Sequence, residues 1–185
     1  MSTDVLPVIT IDLVLDLQTA PKDALRGILH AILFHRIFGP IKSQSFEVLD
    51  VTMPGIKDDN IELLVKEKVD AFWRGIEDSG RTKRGQIMLT MSEMKTKRNW
   101  WTTTEEDLPW EQWVVNVELR QPKTDYDRQT FARELNATLT KALHMIITYV
   151  SSERGRAVVP PITDAHPISP FPYKITTRVG NVEVG

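Results

Sequence analysis

Four histidines and no cysteine give this 185-residue chain few routes to chemistry. Without cysteine there is no disulfide, no thiol nucleophile and no thiolate-bound zinc. His30 and His35 stand five apart, so a helix would turn them to different sides, whereas zinc-binding pairs on a helix stand four apart. His35 therefore reads as a core or partner-facing histidine. His144 and His166 have no nucleophile near them in sequence. Glu105, Glu106 and Asp107 have the right groups for acid–base work, but a carboxylate run of this kind reads as a solvated loop. No glycine-rich phosphate loop occurs, and the nine glycines mark helix ends and turns. The expectation is a protein without catalytic residues, metal or cofactor.

Recognition is better represented than catalysis. Four of the five tryptophans fall between Trp100 and Trp113, and Trp100-Trp101 lies between a basic run and Thr102–Asp107. Two adjacent side chains cannot both face inward from an extended segment, because successive side chains alternate. At least one of this pair is expected to be exposed or to bind something. Exposed aromatics beside basic residues suit protein contact or single-stranded nucleic acid. The basic residues Arg81, Lys83, Arg84, Lys95, Lys97 and Arg98 flank the expected strand Gln86–Met94, where lysines commonly guard an edge. The alternative is a nucleic-acid-binding patch, against which the net charge of −2 argues.

The elements that would position these residues follow from hydrophobic period. Ile9, Ile11, Leu13, Leu15 and Leu17 alternate along an expected strand over Val8–Leu17. A helix follows, with Thr19 as its cap, Pro21 in its first turn and Gly39-Pro40 as its stop. Its residues are apolar nearly all the way round, which places it at the centre of the fold. A second strand is expected over Phe46–Met53, closed by Pro54-Gly55. Asp58 or Asp59 caps a second helix with the stripe Ile61, Leu64, Val65, Val69, Phe72, Trp73 and Ile76, which ends at Gly80. Strands are expected over Gln86–Met94 and Gln112–Gln121. Thr124 or Asp125 caps a third helix reaching about Val150. Its stripe Phe131, Leu135, Leu139, Ala142, Leu143, Ile146 and Val150 is widened by Met145, Ile147 and Tyr149 to an arc of roughly 200°, more than one packed face needs. A proline-rich segment, Pro160–Pro172, leads to a last strand, Tyr173–Val179.

Hydrophobic residues make up 41% and charged residues 26%, the profile of an ordinary globular protein, and the length suits one sizeable domain. Met1–Asp4 lacks a secretory pattern, and the near-apolar run Ile28–Phe38 is too short to span a bilayer. A soluble intracellular protein is expected, with helices and an antiparallel sheet in one α+β layer pair.

Three motifs in order then resemble the autophagy-related protein 101 family of HORMA-domain proteins. They are "ILHAILFHRIFG" (Ile28–Gly39), "LPWEQWVVNVEL" (Leu108–Leu119) and "YKIT" (Tyr173–Thr176). The resemblance covers about Val8 to Val179. It implies a single HORMA domain over 1–185: three helices on an antiparallel sheet, with a mobile C-terminal safety belt in 151–185. It also implies a non-enzymatic scaffold that pairs with and stabilises the HORMA domain of autophagy-related protein 13. That scaffold would serve the autophagy initiation kinase complex in the cytoplasm and at the phagophore assembly site, without nucleic acid or stable membrane insertion. Related HORMA pairs dimerise through the third helix, which designates His144, Met145, Ile147 and Tyr149 as the partner face. Family members carry a protruding Trp-Phe finger just before the Pro-Trp-Glu-x-Trp strand, used to recruit downstream autophagy factors. Trp101 takes the finger's tryptophan position. The family's Trp-Pro-Phe becomes Trp101-Thr102-Thr103, and Trp100 stands in from the other side.

Overall fold

The computed structural model describes residues 5–80, 82–162 and 169–185. Met1–Asp4, Arg81, His166 and the middle of the proline-rich segment lie outside the described residues.

Strand β1 (Val8–Leu15) alternates as its sequence demands, burying Ile9, Ile11, Leu13 and Leu15. It does not reach Leu17, which is exposed. The Asp16 carboxylate ends the strand by accepting from the backbone N–H of Gln18 (3.1 Å) and Thr19 (2.5 Å). It also accepts from the Thr19 hydroxyl at 2.7 Å. Thr19 is thereby consumed in the turn and cannot cap the next helix. The cap position of α1 (Pro21–Arg36) falls to Ala20, in the left-handed region at φ 46° with no side-chain bond, and Pro21 follows at the first helical position. This helix is central, as its all-round apolar sequence required, with Ala24, Leu25, Ile28, Leu29, Ala31, Ile32 and Leu33 all buried.

The single strand expected over Phe46–Met53 is instead a hairpin, β2 (Ser43–Val48) and β3 (Val51–Ile56). Leu49-Asp50 makes the two-residue turn, with Leu49 at φ 54°. Pro54-Gly55 lies inside β3 rather than after it, and Gly55 is required there because a Cβ would sit 2.2 Å from the Phe46 ring. Helix α2 (Asp59–Ser79) is capped by Asp58, whose carboxylate accepts from the N–H of Asn60 and Ile61, and it ends at left-handed Gly80.

Strand β4 (Arg84–Arg98) extends beyond the expected Gln86–Met94 at both ends, and β5 (Thr103–Leu119) starts well before the expected Gln112 and stops short of Gln121. Helix α3 (Asp125–Ser151) starts with a reciprocal box between Thr124 and Asp127. After α4 (Glu153–Ala157) come β6 (Tyr173–Val179) and the short β7 (Val182–Glu183). The five-stranded sheet runs β1-β5-β4-β6-β7, with β2–β3 as a separate pair. One pairing departs from the antiparallel expectation: β1 runs parallel to β5, because a long crossover through α1, the hairpin, α2 and β4 separates them. The fold is α+β, in agreement with a HORMA-type arrangement. Among the described residues no helix is long and apolar enough to cross a membrane.

His30, at the middle of α1, is fully buried against Phe46, with ring centroids 4.4 Å apart. Burial lowers its pKa from 6.5 to about 4, with nearby Glu62 opposing the shift and Arg26 adding to it. A proton then binds the unfolded chain more readily than the folded one. His30 therefore withdraws stability as pH falls from 6.5 towards 4, and has no such effect above 6.5. Between pH 7 and pH 5 the expected loss from this residue is at most about 2 kcal/mol. Urea melts at the two pH values check it, with His30→Leu expected to lose less over the same interval.

Candidate protein-interaction site

The β4–β5 pair is longer than its neighbours. Strand β6 leaves β4 at Met91, and β1 leaves β5 at Gln112. Beyond those points Ser92–Arg98 and Thr103–Glu111 continue as a two-stranded arm, extending about 24 Å at 3.4 Å per residue. At its end the N–H of Asn99 donates to the carbonyl of Thr102 (2.9 Å), and the N–H of Thr102 donates back to Asn99 (3.3 Å). This closes a two-residue loop made of Trp100 and Trp101, which are 91% and 88% exposed. Strand alternation leaves at least one tryptophan of the pair exposed or bound. The loop exposes both, because side chains at a hairpin tip have no sheet face to join.

The polar residues around the pair form strands rather than the expected loop. Glu105, Glu106 and Asp107 lie on β5, opposite Thr96, Lys95 and Met94. Lys97 pairs with Glu106, and Lys95 with Glu93 at 2.9 Å. The basic residues do not form one patch. Arg84 pairs with Glu118 at the opposite end of β4, 14 residues from Arg98 or about 48 Å at the strand repeat. Arg81 lies outside the described residues.

At the root of the arm the register slips between Met91 and Ser92: Met91 faces Glu111, Ser92 faces Pro109, and Trp110 is the extra residue of a β-bulge. The bulge turns the consecutive side chains of Trp110 and Glu111 both inward, beside Trp113. Pro109, on the outer run of the arm, has no N–H to leave unpaired. Inside, Arg36 from the last turn of α1 meets Glu111 in a two-pronged pair, Nε to Oε1 at 2.8 Å and Nη2 to Oε2 at 2.6 Å. Both residues are essentially inaccessible, at 2% and 0% exposure. The pair has further partners: Trp113 Nε1 donates to Glu111 at 2.5 Å, and Arg36 Nη2 donates to the Gly155 carbonyl at 2.9 Å. The guanidinium carbon also lies 5.7 Å from the Trp110 ring centroid and 5.8 Å from that of Tyr149. Sequence reading missed this cluster. Its signal was the parity of Glu111, which shares a strand face with Trp113 and Val115 and so had to be buried.

The end of α3 differs from the expected uncovered face. The Tyr149 ring packs edge-on to Trp113, with centroids 5.5 Å apart. Burial, with Glu111 nearby, raises the Tyr149 pKa. Met145 is half-buried against the core. Of the residues that widened the apolar arc, Ile147 remains open at 43% exposure. His144 is exposed, with its Nδ1 3.4 Å from the Thr148 hydroxyl oxygen. His144, Met145, Thr148 and Tyr149 line one shallow depression of about 460 Å³. Part of the wide arc is therefore spent inside the fold, where α3 packs on α1, β1 and β3 and Tyr149 reaches Trp113, and Ile147 and His144 are the part left open.

Glu62 acts on His30 only as a nearby charge, and among the described residues neither His30 nor His35 is hydrogen-bonded to an acid or a nucleophile. Burial, and then neighbouring Arg36, lower the His35 pKa and favour the uncharged ring. Among the described residues no group of three His, Asp or Glu side chains is arranged to hold a metal ion.

The family model described as "Autophagy-related protein 101" matches residues 12–166. Curated relatives of that name include one from Arabidopsis thaliana, 30% identical with 84% of this chain and 79% of the relative covered. One from Schizosaccharomyces pombe is 26% identical, with 91% and 85% covered. The human relative is 20% identical, with 85% and 82% covered. With a family model spanning the centre of the sheet, the arm and α3, the chain belongs to the autophagy-related protein 101 family.

Proposed function

We propose that the protein is a non-enzymatic interaction subunit of the autophagy initiation machinery, with the arm tip as its recruiting element. Family membership supports the autophagy role. The observation that carries the recruiting role is the exposure of Trp100 and Trp101, 91% and 88%, at the end of a paired arm. Exposed tryptophans bury large area on contact and are enriched where truncation weakens binding most. In this reading the chain pairs with the HORMA domain of autophagy-related protein 13 through the outer side of α3, at His144, Ile147 and the rims of Met145 and Tyr149. It forms one HORMA domain over 1–185, whose safety belt is 151–185, within the initiation kinase complex. It works in the cytoplasm and at the phagophore assembly site, and no cofactor, nucleic acid or inserted membrane segment takes part.

The test separates binding from folding. Trp100→Ala/Trp101→Ala removes no buried contact, so the unfolding midpoint and pairing with the HORMA partner stay as in the native protein. Recruitment of downstream factors and autophagic flux in cells fall, with affinity at the tip lowered by about 2 kcal/mol, or some thirtyfold. Native flux in the double variant would remove the recruiting role. Loss of HORMA pairing would move the partner surface from α3 to the arm.

A further inference from the structure

At the root of the arm, elements distant in sequence meet on one small set of side chains. Phe171, just before β6, packs on Trp110 with centroids 5.4 Å apart, and the next residue, Pro172, accepts from the N–H of Ser92 at 2.9 Å. Ser92 and Trp110 are the two sides of the register slip. The Arg36 guanidinium also lies against the Trp110 ring, and it holds the carbonyl of Gly155. Gly155 follows the end of α3 so tightly that a Cβ there would come within 2.0 Å of the Tyr149 carbonyl oxygen. The C-terminal turn of α3, α4 and the lead-in to β6 are thus fastened to the same bulge from which the tryptophan arm departs.

We propose that this cluster is a coupling device: Arg36, Glu111 and Trp110 transmit displacement of the α3–α4 junction, or of Phe171, to the base of the arm and so to the aim of Trp100-Trp101. The reason is geometric. A buried guanidinium that donates three fixed bonds has no second partner to adopt, so it moves with whichever attachment moves. The bulge is also the compliant point of the ladder, since it interrupts the register that stiffens the rest of β4–β5. A contact on the outer side of α3 is then felt at the tip without the two surfaces touching. The inference goes beyond the proposed partner reading, and its test needs no partner.

Amide hydrogen exchange on the full chain provides that test, with Phe171→Ala and Tyr149→Ala placed at opposite sides of the cluster. Each is expected to speed exchange at both sites, the arm root (Ser92, Glu111) and α4 (Gly155, Val158), by about tenfold. Ile11 and Val115, in the centre of the sheet, stay within about twofold of native. Loosening confined to each variant's own neighbours, Ser92 for Phe171→Ala and α4 for Tyr149→Ala, overturns the proposal. If both alanine variants lose protection everywhere, the decision passes to Arg36→Met/Glu111→Leu, which replaces the pair with apolar side chains of similar size. Faster exchange at both the arm root and α4 in that variant supports the coupling, and native exchange at either one overturns it.

Discussion

Arg36→Ala lowers stability by about 3–5 kcal/mol, a large share of the roughly 5–15 kcal/mol that holds a domain of this kind folded. The loss does not measure the strength of one ion pair. Glu111 has no exposure, and three of its contacts come from Arg36 and Trp113. Removing the guanidinium leaves a carboxylate in an apolar interior with one indole N–H as donor. It also leaves the Gly155 carbonyl without its side-chain donor. Urea unfolding of the two variants reads the effect as a lowered midpoint. Arg36→Met/Glu111→Leu should recover most of it, because removing both charges removes the unpaired one. An Arg36→Ala midpoint within about 1 kcal/mol of native would mean that water reaches Glu111.

Trp113→Ala is expected to lower stability by about 3–5 kcal/mol, whereas the same change at Trp101 leaves it unmoved. The two residues are twelve apart on one hairpin, so residue type and local propensity cannot separate them. Burial does: Trp113 has no exposed surface, supports Tyr149 edge-on and donates to Glu111. Its removal opens a large cavity at the centre of the β5 face and takes a donor from a buried carboxylate. Thermal or chemical unfolding compares the two directly. A small effect at Trp113 would require α3 to collapse into the space, and near-ultraviolet circular dichroism of Tyr149 would register that movement.

Sequence period located the helices well, because each carries a strong apolar stripe and two have side-chain caps at the expected residues, Asp58 and Thr124. It failed where a local choice was settled by neighbours. Thr19 has the chemistry of a cap, but Asp16 claims its hydroxyl. Phe46–Met53 has the composition of one strand, but Leu49 adopts a positive φ and reverses the chain. The exposure of Trp100-Trp101 was legible from the polar residues on either side. The two-stranded arm beneath was not, since Ser92–Arg98 and Thr103–Asp107 hold together by pairing with each other rather than by an apolar face. The Arg36–Glu111 pair was the least legible feature. It joins residues 75 apart, and although strand parity puts Glu111 on the side of Trp113, nothing local names Arg36 as its partner or turns Trp110 to the same side.

The parallel pairing of β1 with β5 bears on how the chain is made. Val8 sits opposite Gln112, a separation of 104 residues (112 − 8), so β1 has no place in the sheet until β5 exists. At a synthesis rate of about 5–20 residues per second, the β1 segment waits roughly 5–20 s with Ile9, Ile11, Leu13 and Leu15 unshielded. Closing so long a loop is slow even after release, because its entropy is lost before the strand contacts form. Until then α1, the β2–β3 hairpin and α2 have only short-range partners. The nascent chain therefore passes through a period in which its N-terminal strand is the segment most open to chaperones and to aggregation.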